Sequence, residues 1–312
     1  MKLEEPVRRL LEQMRALQAF QVNAETVPAA RAQLAALAQP DGPMAEGVAV
    51  RDIDVGGITV RTYRPTGAGP WPLHLYAHGA DFLFGSALSG AQDGELSRRA
   101  LEAGCLVASV EYRLAPEHPF PAGLEDCYSA LTGLLARADE LAIDPGRVTV
   151  GGASSGGNFA AALALMARDR GGPAIALQLL EIAGTDLTKS SHAWRHPAPG
   201  HDTTRERDLA LVDLYLGSLA ARAHPYASPL FAPDLAGLAP AYVMSAEHDP
   251  RRDECEAYVA RLTDAATPAR ARTMAGHVHG SMTLTGWEGA EQWRHEANEV
   301  LAAVNEGRSS PF

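Results

Sequence analysis

Cysteine is scarce in this chain of 312 residues, and the few cysteines present argue against a cysteine-based metal site. Only Cys105, Cys127 and Cys255 occur, they lie far apart, and no pair has the C-x-x-C spacing of many metal sites. Cys105 and Cys127 stand in apolar stretches, which indicates buried structural thiols. We therefore expect no metal site, and a reducing, cytoplasmic location.

Long hydrophobic runs and an excess of basic charge are also missing. No apolar stretch approaches the roughly 20 residues of a membrane-spanning helix, and residues 1–5 do not begin a secretory signal. The 27 basic residues face 38 acidic ones, which gives a net charge of −11. This balance disfavours nucleic acid and anionic membranes as partners. We expect neither nucleic-acid binding nor membrane insertion.

The sequence does contain a regular alternation of short apolar strands and helices. It predicts strands at residues 48–55, 58–64, 73–76, 105–112, 148–150, 175–182, 242–245 and 270–274, and helices at residues 96–103, 124–136, 160–166, 254–262 and 292–304. The first two strands alternate in polarity around Gly56 and Gly57, which predicts a hairpin. The later rhythm predicts an α/β fold with a mostly parallel sheet of about eight strands, covered by helices on both faces.

Two segments depart from this rhythm. Residues 3–17 carry apolar side chains at helical spacing, and a second helix is predicted within residues 29–38, before Pro40. Between about Leu187 and Pro229 no strand is evident, and an amphipathic helix is predicted near residues 205–219. This stretch indicates an insertion above the sheet. The N-terminal segment could form a lid, or it could pack on the outside of the core.

A strand, a glycine-serine turn and a helix follow one another at residues 147–166. The turn has the sequence G-A-S-S-G at residues 152–156. In this setting G-x-S-x-G is typical of a nucleophile elbow, because glycines permit a turn too sharp for residues with a Cβ. The turn would expose the Ser154 hydroxyl to a base, and the helix N-terminus would offer N–H groups to a developing negative charge. An ordinary strand–helix connection is the alternative.

Acidic residues and histidines follow two of the later predicted strands. Asp249, with its neighbours Glu247 and Asp253, comes after the strand at residues 242–245, and His277 and His279 come after the strand at residues 270–274. Functional side chains gather at the carboxyl ends of parallel strands. One histidine would take the proton of the serine, and one carboxylate would orient that histidine. From the residues alone, the choice among these acids and histidines stays open.

A glycine-containing turn after the strand at residues 73–76 is the candidate oxyanion hole. Such a turn can point backbone N–H groups inward. We assign the N–H groups of Gly79 and Ala80 to the hole, together with that of Ser155 after the nucleophile. His78 precedes them, and we expect it to brace the loop by a hydrogen bond rather than to act in catalysis.

From about residue 58 to its C-terminus, the chain resembles the hormone-sensitive-lipase-like branch of the α/β-hydrolases, the bacterial carboxylesterase group. The most specific part is E-Y-R-L-A-P-E-H-P-F-P-A at residues 111–122, and D-P-R-R-D-E at residues 249–254 fits as well. The resemblance implies that Asp249 is the acid and that His279, directly before glycine, is the base. It also implies a helical cap made of residues 1–44 and an insertion at about residues 187–227, over a catalytic α/β-hydrolase domain at residues 45–312.

The chain departs from the pattern of that branch at three places. The usual H-G-G-G is H-G-A-D at residues 78–81, G-D-S-A-G-G is G-A-S-S-G-G at residues 152–157, and Ser281 replaces an aromatic residue. An ionised Asp81 aimed at the oxyanion would oppose catalysis. We therefore expect Asp81 to point away, to be neutral, or to meet a cationic or hydroxylated substrate group. It either tunes substrate choice or braces its loop.

The resulting prediction is a serine carboxylesterase that needs no metal or cofactor. Ser154 would attack the ester carbonyl, His279 would move the proton, and Asp249 would orient the histidine. The resemblance implies small esters with short or medium acyl chains as substrates. Two alternatives stay open: an amide or carbamate hydrolase with the same triad, and a non-catalytic small-molecule receptor, against which the intact triad argues. The sequence also leaves a homodimer open.

Overall fold

A computed structural model describes residues 3–17, 22–37, 40–196, 198 and 201–308. The helices are α1 (Glu5–Leu17), α2 (Val27–Leu37), α3 (Asp93–Glu102), α4 (Ala122–Ala136), α5 (Ala138–Leu141), α6 (Ser155–Asp169), α7 (His192–Arg195), α8 (Arg205–Leu216), α9 (Arg252–Asp264) and α10 (Glu288–Asn305). The strands are β1 (Val48–Val55), β2 (Ile58–Pro65), β3 (Trp71–Ala77), β4 (Leu106–Val110), β5 (Ile143–Ala153), β6 (Leu177–Glu181), β7 (Ala241–His248) and β8 (Ala269–Val278).

The eight strands of the described residues form one sheet in the order β1-β2-β4-β3-β5-β6-β7-β8. The pairs β1–β2 and β2–β4 are antiparallel, and all pairs from β4 to β8 are parallel. The hairpin closes between Val55 and Ile58, where Gly56 and Gly57 have φ values of 65° and 89°. Glycine adopts such positive values without strain. The predicted α/β class and mostly parallel sheet are confirmed.

Helices cover both faces of the sheet, and the strand sequences match that burial. Along β4, Leu106 and Ala108 pack into the core on the side of α4, α6 and α9. Val107 between them packs into the core on the side of α3 and α10. Successive strand residues point to opposite faces, so a strand buried on both sides is apolar throughout. Cys105 and Cys127 are buried free thiols, as predicted.

Several element ends differ from the predicted ones. Strand β8 continues to Val278 and so includes His277, whereas the predicted strand stopped at residue 274. The prediction stopped early because the end of the strand is polar and contains glycine, and so lacks the apolar pattern of a buried strand. Helix α8 ends at Leu216 rather than at Leu219. Gly217 has φ of 65° there, which is a common helix-ending conformation of glycine.

The two N-terminal helices pack against different parts of the fold. Leu3, just before α1, and Val7 and Leu11 of α1 are buried against Val278, Trp287 and Ala290. Helix α2 packs through Val27 onto residues 83–84 and onto α8. Residues 1–2, 18–21, 38–39, 197, 199–200 and 309–312 of the predicted cap and catalytic segments lie outside the described residues. In the described part of the chain, no helix is both long and apolar enough to cross a membrane.

Candidate functional site

Ser154 lies at the sharp turn between β5 and α6, as the elbow prediction requires. Its backbone has φ of 56° and ψ of −117°, and its N–H donates to the carbonyl oxygen of Glu181 at 2.8 Å. A Cβ on Gly156 would lie 1.9 Å from the carbonyl oxygen of Ala77, and one on Gly152 would lie 2.5 Å from the same atom. Only glycine fits at these two positions, so the turn depends on them.

A continuous chain of hydrogen bonds links Ser154 to His279 and Asp249. The Ser154 hydroxyl lies 3.1 Å from His279 Nε2, and His279 Nδ1 lies 2.6 Å from Asp249 Oδ2. Asp249 directly follows β7 and His279 directly follows β8, so both stand at the carboxyl edge of the sheet. Although burial raises the pKa of Asp249, its contacts with His279 and Arg251 lower that pKa to about 2. The carboxylate is therefore ionised at neutral pH.

The other candidate acids bind backbone groups elsewhere. Glu247 accepts the N–H of Gly276 at 2.8 Å, and Asp253 accepts the N–H of Ala193 at 2.8 Å. Neither carboxylate bonds to His279 in the described residues. The structure therefore leaves Asp249 as the acid beside the histidine.

His277 belongs to a different environment from His279. Its Nδ1 lies 2.9 Å from Ser281 Oγ, and its ring packs 4.5 Å from Trp287 and 5.1 Å from Trp293. Burial lowers the pKa of His277 to about 4. The serine that replaces an aromatic residue thus binds His277 and the turn after β8, where its Oγ also donates to the Val278 carbonyl at 2.8 Å.

The loop of Gly79 and Ala80 lies directly beside the nucleophile. A Cβ on Gly79 would be 2.7 Å from the Ala153 carbonyl oxygen and 3.6 Å from Ser154 Cβ. His78 Nδ1 donates to the Gly79 carbonyl at 2.8 Å, and its ring stacks on Tyr112 at 4.2 Å. His78 therefore braces the loop. Ser155 is the first residue of α6, so its N–H lies at the helix N-terminus.

The backbone after Gly79 is held in an unusual conformation. Ala80, Asp81 and Phe82 have φ values of 89°, 57° and 64°. Three successive residues with a Cβ in this region are strained, and such strain gathers at functional sites. Phe82 anchors this loop in the core, because its ring is buried and stacks on Tyr215 at 3.8 Å.

A cavity of about 450 Å³ opens over Ser154 and His279. Its walls include residues from the loop after β3 (Gly79, Ala80, Asp81), from the N-terminal segment (Met14, Val22, Ala30, Gln33, Leu34), and from the insertion (Asp202, Thr203, Arg207, Asp208, Leu211). Both segments predicted to form a cap thus reach the space above the serine.

A buried set of charges adjoins Asp249 and His279, and most of its members carry no local signal in the sequence. We call it the Arg251 cluster: Lys189, Asp202, Asp208, Arg251 and Glu254. Arg251 lies 3.4 Å from His279 Nδ1 and 3.5 Å from Asp249 Oδ1, and it donates to Asp208 at 2.6 Å. Position 251 stands two residues after the acid in the D-P-R-R-D-E motif, which was the one available clue.

The comparisons with known proteins agree with this fold. A family model described as the alpha/beta hydrolase fold matches residues 74–283. The chain belongs to the α/β-hydrolase family. Its matches to bacterial esterases support the hormone-sensitive-lipase-like branch that the sequence resembles.

Individual relatives support the activity class. The chain is 36% identical to the carboxylic ester hydrolase LipN of Mycobacterium tuberculosis, over 90% of this chain and 76% of LipN. It is 37% identical to the carboxylesterase NlhH of the same organism, over 82% of each. A solved bacterial heroin esterase superposes with a TM-score of 0.86 at 33% identity, over 97% of this chain and 98% of that one. The predicted class, a carboxylic ester hydrolase, is confirmed.

Proposed function

We propose that this α/β-hydrolase cleaves carboxylic esters through an acyl-enzyme on Ser154. The observation that carries the proposal is the chain Ser154–His279–Asp249, with distances of 3.1 Å and 2.6 Å. His279 Nε2 takes the hydroxyl proton as Ser154 Oγ bonds to the ester carbonyl carbon. The protonated histidine then gives this proton to the departing alcohol, and Asp249 stabilises the imidazolium.

Water completes the reaction on the same groups. A water molecule gives a proton to His279 and attacks the acyl carbon, and the carboxylic acid leaves as Ser154 Oγ regains the proton. The N–H groups of Gly79, Ala80 and Ser155 would hold the oxyanion of both tetrahedral intermediates. Support for this role comes from the position of Gly79 against the elbow and of Ser155 at the start of α6.

We further propose that residues 1–44 and about 187–227 form a cap over the catalytic domain of residues 45–312. The described residues of both segments line the cavity above Ser154. Arg31 of α2 ties the first segment to the oxyanion loop, because it donates to the Leu83 carbonyl at 2.6 Å and pairs with Glu117 at 2.7 Å. A cavity of about 450 Å³ suits esters with short or medium acyl chains.

Esterase names among the relatives favour ester cleavage over amide or carbamate cleavage, and the complete Ser–His–Asp set disfavours a receptor. A cytoplasmic location, the absence of nucleic-acid binding and a homodimer stay predictions.

The decisive experiment compares Ser154→Ala with the wild type on p-nitrophenyl esters and matched amides. The variant should lose about 10³–10⁶ in kcat, the scale seen when triad members are removed. The control is Ser129→Ala, since Ser129 is exposed on α4. A p-nitrophenyl phosphonate should label the wild type at Ser154. Labelling at another serine, or a wild type inactive on all esters, would overturn the proposal.

A further inference from the structure

Two carboxylates border the cavity without a hydrogen-bond donor. Asp81 lines the cavity, is only partly exposed, and forms no hydrogen bond within the described part of the chain. Asp202 also lines it, is 5% exposed, and its Oδ1 has no hydrogen-bond partner. The nearest cation to that atom, Arg251, is 4.0 Å away. Because shielded carboxylates are costly without donors, these two indicate that a donor enters the cavity with a ligand.

The two buried cations near these carboxylates, Arg251 and Lys189, already have other partners. Arg251 donates to Asp208 at 2.6 Å and lies 5.2 Å above the ring of Trp194. Lys189 is 2.9 Å from Asp208 and 3.9 Å from Glu254. Neither cation is therefore free to serve Asp81, or to move closer to Asp202 without giving up a contact.

Negative charge exceeds positive charge around this wall of the cavity. The acidic groups are Asp81, Asp202, Asp208 and Asp249, and the basic ones are Lys189, Arg207 and Arg251; Glu254 is not counted, because burial raises its pKa to about 8. Burial and the charges of Asp208 and Asp202 raise the pKa of Asp81, against the opposing effect of Arg251. A carboxyl group in this position binds either a proton or a cation.

We propose that Asp81 and Asp202 form a binding site for a protonated amine, so that the preferred substrates are esters carrying an ammonium group. The site rests on the proposed ester hydrolysis, because it adjoins Ser154 and His279 in the same cavity. An ammonium group supplies N–H donors and the missing positive charge together. Apolar side chains of the cavity, such as Leu34 and Leu211, would contact the carbon chain between ammonium and ester.

The test compares esters that differ only in charge. On the acyl side, p-nitrophenyl 4-(dimethylamino)butanoate is paired with its carbon isostere, the 5-methylhexanoate, and with the anionic glutarate monoester. On the alcohol side, acetylcholine, which offers charge but no N–H, is paired with 3,3-dimethylbutyl acetate. In at least one pair the wild type should favour the cationic ester by about tenfold or more in kcat/KM, as expected for charge-assisted contacts.

Neutral isosteres of the two carboxylates locate the effect. Asp81→Asn and Asp202→Asn should each lower the ratio of cationic to isosteric kcat/KM by about tenfold. Asp264→Asn is the matched control, because it removes one exposed acid outside the cavity and should keep the ratio. Circular dichroism checks that each variant folds. If Asp202→Asn does not fold, the ratios of cationic to isosteric kcat/KM for Asp81→Asn and for the wild type still test the proposed site.

The outcomes separate this inference from the proposed function. Calorimetric binding of the dimethylamino ester to Ser154→Ala should be tighter than binding of its isostere, and Asp81→Asn in that background should abolish the difference. If the neutral esters are hydrolysed but no cationic ester is preferred, or if the anionic ester is preferred, the amine site is wrong and the esterase stands. If no ester is hydrolysed, the proposed function itself fails.

Discussion

A second cluster of buried charges surrounds Arg99, and its carboxylates lie closer to their arginine than Asp202 lies to Arg251. Arg99 is fully buried on α3, 2.8 Å from Glu95 and 2.9 Å from Glu181 at the end of β6. Trp293 donates to Glu181 at 2.8 Å, and Asn298 accepts from Arg99 at 3.3 Å. We call these five residues the Arg99 cluster.

The two clusters differ in what completes them. In the Arg99 cluster each carboxylate meets the guanidinium, and none of its residues lines the cavity. In the Arg251 cluster, the guanidinium of Arg251 stays 4.0 Å from Asp202 Oδ1, and Asp202 borders the cavity. Burying charges costs several kcal/mol per ion, so protein partners normally surround them. We call the Arg99 cluster closed, because its charges are paired within the protein, and such a cluster stabilises the fold. We call the Arg251 cluster open, because it borders a cavity in which a ligand could pair with its carboxylate.

Each cluster also contacts one histidine: the Arg251 cluster contacts His279, and the Arg99 cluster contacts His277. Replacing these histidines should give the largest difference in kcat. His279→Ala should lower kcat on a p-nitrophenyl ester by about 10³–10⁶, because it removes the imidazole that is hydrogen-bonded to the Ser154 hydroxyl. His277→Ala should change kcat by less than about tenfold, since its ring packs on Trp293 of the Arg99 cluster, away from the serine.

The same two histidine variants should show the reverse order in thermal unfolding. His277→Ala leaves a cavity between Trp287 and Trp293 and should unfold at a lower temperature than His279→Ala. Similar kcat losses in both variants would contradict the assignment of His279 as the base.

Removing the central arginines tests the difference between a closed and an open cluster. Arg99→Met should lower the free energy of unfolding by about 3–5 kcal/mol, since Glu95 loses its cation in a fully buried place. Arg251→Met should cost less, because Asp208 keeps Lys189 at 2.9 Å and Asp202 borders the cavity. Urea unfolding at pH 7.5 measures both. Equal losses would mean that the Arg251 cluster is as structural as the other.

The proposed triad could be selected from the sequence because each of its members has a local signal. Ser154 is marked by glycines that the close contact with Ala77 requires, and Asp249 and His279 each follow a strand directly. The order of the strands in the sheet did not have to be known, because the carboxyl ends of parallel strands lie at the same edge of the sheet. Choosing His279 over His277 depended on the family resemblance, and the structure gives the reason: His277 is the penultimate residue of β8 and its ring lies between tryptophans.

The Arg251 cluster was not predictable in the same way. Its residues come from positions 189 to 254 and meet only when the insertion packs against the start of α9. Asp202 lies in a stretch without regular structure, so periodicity carries no information there. Asp81 was singled out only as a departure from a family pattern. Its surroundings depend on contacts distant in sequence.

The smallest expected effect concerns one carboxyl group in each cluster. Burial, with neighbouring acids, raises the pKa of Glu95 to about 7 and that of Glu254 to about 8. The folded protein then holds protons that the unfolded chain releases, so these groups make stability fall as pH rises from about 4.5 to 7 or 8. Above that range their contribution is constant.

Replacing these two glutamates with glutamine should remove their contribution to the decrease of stability with rising pH. Between pH 5 and 8, Glu254→Gln should flatten the curve of unfolding free energy by on the order of 1–3 kcal/mol, and Glu95→Gln should do so mainly below about pH 7. Glu12→Gln, at an exposed site on α1, is the control and should run parallel to the wild type. At pH 8, an amine bound at Asp81 and Asp202 should raise the unfolding free energy of Glu95→Gln as much as that of the wild type and that of Glu254→Gln less, because only Glu254→Gln removes a negative charge from the cluster that borders the cavity. Ligand effects of equal size on both variants would remove the distinction between the two clusters.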